Sequence, residues 1–124
     1  MLLETLETQI KQDVQRALDE DLGSGDITAQ LIPPESSWKA SVYTRDPAIL
    51  CGRNWFDAVF RQLDDRVDIR WYANDGEAIV PHQVVCTLEG PTRCLLSGER
   101  TALNFLQTLS GTATLANTCA RRLE

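Results

Sequence analysis

An α-helix turns by about 100° per residue, and that angle brings Arg93, Arg100, Asn104 and Gln107 onto one stripe of residues 92–110. All four carry hydrogen-bond donors. Leu95, Leu96, Ala102, Leu103, Phe105, Leu106 and Leu109 fall on a broad apolar arc beside it. Packing of that arc would hold the element rigid while the donors face outward. A guanidinium grips a carboxylate or phosphate with two parallel N–H bonds, so such a row suits capture of an anion. A polar stripe that merely meets water has the same spacing, and spacing alone leaves both readings open. Arg100 is the leading binding residue, and Arg93, one stripe-length earlier, would widen the positive patch. Asn104 and Gln107 read as supporting or interface residues. Glu99 falls in the middle of the apolar arc, where a bare carboxylate is costly. It is expected to find an ion pair or hydrogen bond, or to face a further domain.

Other chemistries find less support. Cys51, Cys86, Cys94 and Cys119 show no paired short spacing, and with the single histidine, His82, they make no zinc pattern. Each cysteine reads as a small apolar filler, and His82 as a loop residue. Asp21 through Thr28 carries two glycines but lacks the lysine and the preceding strand of a phosphate loop. Its aspartates would repel phosphate, so it reads as turn and capping chemistry. Trp38, Trp55 and Trp71 are scattered and read as packing residues.

The elements that must position the stripe follow from periodicity. Leu3, Leu6, Ile10, Val14, Ala17 and Leu18 predict a first helix over residues 2–20. Trp38 to Thr44 alternates as a strand, and residues 47–50 predict a short second one. Phe56, Val59, Phe60 and Leu63 predict a helix over 53–63. Val67, Ile69 and Trp71 alternate with Asp68, Arg70 and Tyr72 in a half-buried strand. Ala78–Val80 and Val84–Leu88 predict two further strands, and Gly90-Pro91 closes the sheet region. Thr92 is placed to cap the long helix. Ser110-Gly111 is expected to interrupt it, with a last helix from Thr112. This order is α+β rather than strict βαβ alternation.

The 124 residues suffice for one domain, and 43% hydrophobic with 24% charged residues is ordinary for a globular protein. The net charge of −6 argues against a nucleic-acid or anionic-membrane surface. No run of about 18 apolar residues spans a membrane, and the N-terminus lacks a signal peptide. Reduced thiols and a cytoplasmic location are expected. Leu115, Cys119, Ala120 and Leu123 form an apolar stripe with nothing after it to pack on, which looks like a cut within a longer protein.

The same helix carries a family resemblance. Glu99-Arg100-Thr101-Ala102-Leu103-Asn104-Phe105-Leu106-Gln107, then Leu109-Ser110-Gly111-Thr112-Ala113-Thr114, closely resembles a signature of quinolinate phosphoribosyltransferase, the carboxylating nicotinate-nucleotide pyrophosphorylase. Gly25-Asp26-Ile27-Thr28 resembles that family's early Gly-Asp-x-Thr motif. Asp75-Gly76-Glu77 and Leu88-Glu89-Gly90 stand where it has similar segments. Thr112 departs from the apolar residue many members carry. The resemblance implies an α/β-hammerhead-like N-terminal domain, residues 1–111, of short, mostly antiparallel strands packed with helices. Residues 112–124 would lead toward a catalytic α/β barrel that this chain lacks. It implies an enzyme that joins quinolinate to phosphoribosyl pyrophosphate, giving nicotinate mononucleotide, pyrophosphate and CO2 for NAD biosynthesis. Arg100 would be the substrate-binding residue, entering the active site of the partner subunit in a homodimer. No catalytic residue and no metal ligand falls in this chain. Mg2+ would belong to the full-length enzyme, and the fragment alone is expected to be inactive. Two alternatives stand beside it: a related phosphoribosyltransferase-like protein of molybdenum transport, and a non-catalytic hammerhead binding module. The latter is disfavoured, because neither Lys11 nor Lys39 lies between the short strands as a carrier lysine would.

Overall fold

The computed structural model describes residues 2–22 and 30–123, with side chains over 5–22 and 30–114. Helix α1 (Leu2–Leu22) leads to strands β1 (Ser37–Tyr43) and β2 (Ala48–Ile49). Helix α2 (Arg53–Leu63) follows, then β3 (Asp68–Trp71), β4 (Ala78–Ile79) and β5 (Val84–Pro91), and the chain ends in helix α3 (Thr92–Leu123). This is the expected α+β order. Strand β5 is central in a three-stranded antiparallel sheet, β1-β5-β3, while β2 and β4 pair separately, also antiparallel.

Each element exposes one face because its apolar residues recur at its own period. Ile10, Val14 and Leu18, one helical turn apart, form the buried stripe of α1. Phe56, Val59 and Phe60 do the same for α2, and Leu95, Ala102 and Leu106 for α3. Val85, Cys86 and Leu88 of the central strand complete the core. The outer face of the sheet carries Lys39 opposite Glu89, and Glu89 opposite Asp68, with Ser41 opposite Thr87. Trp71 packs edge-on to Phe56 at 5.2 Å and 73°. Trp55 is half-buried, but Trp38 departs from the packing expectation and is 54% exposed. His82 lies in a turn at φ 66°, its N–H donating to the Thr44 carbonyl at 2.7 Å.

Two glycines mark the seam between α2 and α3. Gly98 is buried on α3, and a Cβ there would stand 2.7 Å from Phe60 Cε1 and 2.9 Å from Leu63 Cδ1. Gly52, preceding α2, takes φ 106°, and a Cβ there would meet Leu109 Cδ1 at 2.9 Å. The start of α2 thus meets the Leu109 region of α3 and its end meets Gly98, so the helices run antiparallel.

The sequence reading of a break at Ser110-Gly111 is corrected by the structure: α3 runs without interruption to Leu123, and no separate helix starts at Thr112. A helical glycine costs about 1 kcal/mol against alanine, and tertiary bonds outweigh it. Ser110 Oγ accepts from the Cys51 N–H at 3.0 Å and donates to the Cys51 carbonyl at 3.1 Å. Thr114 Oγ1 accepts from the Ile49 N–H at 2.9 Å and donates to the Ser110 carbonyl at 2.7 Å. Strand β5 continues through Gly90 and Pro91, beyond the last residue that pairs with β3. Of the Asp21–Thr28 segment, Asp21 and Leu22 close α1 and the rest lies outside the described residues. The side chains of Leu115, Cys119, Ala120 and Leu123 also lie outside them. Among the described residues no helix is long and apolar enough to cross a membrane.

The two helical glycines of α3 predict opposite outcomes. Gly98→Ala forces a methyl into Phe60 and should destabilise the chain by about 1–3 kcal/mol. Gly111 faces open space, so Gly111→Ala should stabilise by about 0.5–1 kcal/mol. Urea unfolding of both variants measures this, and shifts of the same sign would contradict the seam.

Candidate functional site

The donor stripe lies on the first half of α3, and the structure separates its two arginines. Arg93 is half-buried; its Nε donates to the Ile32 carbonyl at 2.5 Å and its Nη2 to the Gln30 carbonyl at 3.2 Å. Two of its donors thus bind backbone, which makes Arg93 a clamp between α3 and residues 30–32. Arg100, about 10 Å further along the axis, is exposed, and its side chain makes no hydrogen bond or ion pair with any other described residue. Asn104 and Gln107 are exposed on the same stripe.

Glu99 finds no ion pair among the described residues. It is exposed, because it sits at the mouth of an apolar cleft of about 170 Å³ rather than in packed core. Trp38, Val42, Phe56, Phe60 and Leu103 are among the walls. Such walls offer nothing to a dicarboxylate. Across the stripe, a second groove separates α1 from α3, with Asp13, Glu20 and Asp21 on one side and Asn104 and Phe105 on the other. Arg100 stands between the two.

Thr101, the residue after Arg100, is 1% exposed. Its Oγ1 donates to the Asp21 carboxylate at the end of α1. Sequence reasoning quoted Thr101 within the motif but gave it no role. The available signal was its angle on the wheel, beside Phe105 at the edge of the apolar arc, where a hydroxyl must find a buried partner.

Other charged groups serve the frame. Asp57 accepts from Trp71 Nε1 at 2.8 Å, and burial raises its pKa despite that bond. Arg53 lies 5.0 Å from the Trp71 ring and donates to Asn74 Oδ1 at 2.6 Å. The Arg66 side chain and N–H beside Asp64 hold that carboxyl at about 2. Burial pushes Cys86 up to about 12 and raises Cys51 and Cys94 as well. None of these three thiols is activated, and Cys86, the fully buried one, acts as the apolar filler expected. Among the described residues no three His, Cys, Asp or Glu side chains converge as a metal cage.

Comparison with known proteins decides what the stripe belongs to. Residues 26–110 match the profile described as quinolinate phosphoribosyl transferase, N-terminal domain. The chain belongs to this family. A Bacillus subtilis protein named a probable nicotinate-nucleotide pyrophosphorylase (carboxylating) is 35% identical over 116 residues, 94% of this chain and 40% of that protein. The human nicotinate-nucleotide pyrophosphorylase (carboxylating) is 39% identical over 88 residues, 71% of this chain and 29% of its own. The solved nicotinate-nucleotide pyrophosphorylase of Francisella tularensis superposes with a TM-score of 0.89 at 37% identity, covering 93% of this chain and 41% of that one. This chain therefore spans well under half the length of these relatives. The family match favours the enzyme-domain reading over a stand-alone binding module.

The two arginines should separate in a stability measurement. Arg93→Ala abandons two carbonyls at a half-buried site and should cost about 1.5–3 kcal/mol. Arg100→Ala removes an exposed side chain with no described partner and should stay within about 0.5 kcal/mol of the parent. Thermal unfolding of the 124-residue chain measures both. A large loss in Arg100→Ala would show that it serves the fold.

Proposed function

We propose that this domain is the N-terminal part of an enzyme that condenses quinolinate with phosphoribosyl pyrophosphate. The products are nicotinate mononucleotide, pyrophosphate and CO2, for NAD biosynthesis. The supporting observation is Arg100: an exposed guanidinium with no described partner, on a helix fixed by packing, inside the segment that resembles the family signature. Such a group stabilises a carboxylate with two charge-assisted bonds and holds it in one orientation. The arginine serves the active site on the barrel of a partner subunit in a homodimer. The remaining positive and acidic groups of the reaction belong to that barrel. Mg2+, which the family resemblance implies for the full-length enzyme, would be held by the portion outside this chain. The net charge of −6 fits small anionic substrates at one local site rather than nucleic acid or membrane.

Arg100→Ala in the full-length protein should lower kcat/KM for quinolinate by about 2–4 kcal/mol in transition-state stabilisation, roughly 30- to 1,000-fold. Arg100→Lys should recover part of this, since lysine keeps the charge but loses the planar fork. Hybrid dimers with a barrel-site variant should regain activity, because one of their two shared sites combines the intact barrel of one subunit with the intact Arg100 of the other. The 124-residue chain alone should give no nicotinate mononucleotide. Unchanged kinetics in Arg100→Ala would remove it from the site; loss without rescue in confirmed hybrids would place it in its own subunit's pocket.

A further inference from the structure

Arg100 has four side-chain neighbours on its own helix, at three and four positions to either side: Leu96, Ser97, Leu103 and Asn104. Of these, Asn104 is the exposed one. Leu103 lines the apolar cleft, and Ser97 is half-buried. Asn104 lies about 6 Å along the axis from Arg100, and Gln107, also exposed, about 10 Å. The Asn104 side chain makes no hydrogen bond with any other described residue.

The helix beneath this amide is anchored on both sides of it. Thr101 Oγ1 donates to the Asp21 carboxylate. Ser110 Oγ bonds both backbone groups of Cys51. Because α3 runs unbroken through Gly111, Arg100 and Asn104 share one straight row. A ligand that meets both therefore orders two side chains and no backbone, which keeps the entropic cost of binding low.

The two groups differ in kind. The guanidinium grips one carboxylate through parallel bonds and by itself does not count how many the ligand carries. The amide of Asn104 is a neutral donor. Cβ atoms one helical turn apart stand about 5–6 Å from each other, a spacing at which two donors can serve two carboxylates on adjacent carbons. Across the groove from Asn104, α1 presents Asp13 and Glu20. They repel an anion from that side and favour a dicarboxylate lying along the α3 row.

We propose that Asn104 is a second substrate-binding residue: its side-chain amide donates to the carboxylate beside the one that Arg100 grips, and so selects a vicinal dicarboxylate. This rests on the reading of Arg100 as the substrate-binding arginine.

Asn104→Ala removes the donor, and Asn104→Asp keeps the shape but sets a carboxylate against a carboxylate. In the full-length protein, Asn104→Ala should raise KM for quinolinate about tenfold. Asn104→Asp should raise it about 100-fold, and in both variants KM for phosphoribosyl pyrophosphate should stay within about threefold of the parent. Phthalate, a vicinal dicarboxylate that needs no turnover, should lose affinity in the same order by calorimetry. In the 124-residue chain both variants should melt within about 2 °C of the parent, since the amide is exposed and unpartnered. Unmoved quinolinate KM and phthalate affinity in Asn104→Asp, while Arg100→Ala still impairs the enzyme, would overturn the role of Asn104 and leave the functional reading standing. Equal losses in Asn104→Ala and Asn104→Asp, or equal rises in KM for both substrates, would make it an interface residue instead. A large drop in melting temperature would show that it serves the fold. Full activity in Arg100→Ala would overturn the functional reading and this proposal with it.

Discussion

Helix α3 can hold its place only because α2 lies unusually close to it. At Gly98 the space a methyl would need is filled by Phe60 and Leu63, and at Gly52 it is filled by Leu109. Two missing side chains, one near each end of the antiparallel seam, let the ridges of one helix settle into the other. Phe56, Val59 and Phe60 then reach the core shared with β5. A methyl added at either notch would press on Phe60 and Leu63, or on Leu109, and strain the seam that seats α3. Interiors packed to this density transmit such shifts rather than absorb them.

Once docked, α3 supplies hydrogen bonds that short strands cannot supply for themselves. Strand β2 has two residues, and its neighbours would leave backbone groups unpaired. Ser110 serves both groups of Cys51, and Thr114 serves the Ile49 N–H. At the other end, Thr92 receives the approach of β1: its N–H donates to the Ser36 carbonyl at 2.9 Å, and the two hydroxyls meet at 2.9 Å. Thr101 and Arg93 add the bonds to Asp21, Gln30 and Ile32. Arg93, Ser110 and Thr114 of α3 are therefore engaged with this domain's own backbone.

How much of this the sequence disclosed depends on the range of the interaction. Helix 53–63 was legible to the residue, because Phe56, Val59, Phe60 and Leu63 are a local pattern that the seam reinforces. The alternation of Val67, Ile69 and Trp71 was legible for the same reason. The apolar arc of residues 95–109 and the exposure of Arg100 also follow from angle alone. What was not legible came from contacts distant in sequence. Gly111 signals a break locally, and nothing near it reveals that Ser110 and Thr114 bind residues 49–51. Arg93 and Arg100 are equivalent on a wheel; only the path of residues 30–32 distinguishes a clamp from a free donor. Glu99 falls within the apolar arc by its angle, yet the core recedes there into a cleft and the expected ion pair is not found among the described residues.

The freedom of Arg100 is itself built into its surroundings. On a helix, an arginine meets side chains at three and four positions on either side. For Arg100 these are Leu96, Ser97, Leu103 and Asn104, none of them acidic. Glu99 precedes it but projects about 100° away, toward the apolar cleft. Asp21, on the far side, is engaged by Thr101. Arg16 and Arg45 are likewise exposed without a described acidic partner, and a surface pair at Arg100 would gain only a few tenths of a kcal/mol. The gain forgone is small because solvent already screens the charge. An arriving carboxylate that excludes water would meet the same guanidinium in a lower dielectric, where a bidentate contact is worth several times more. A binding site at Arg100, as proposed, would therefore cost the isolated domain little and would reach full strength only when another surface closes over it.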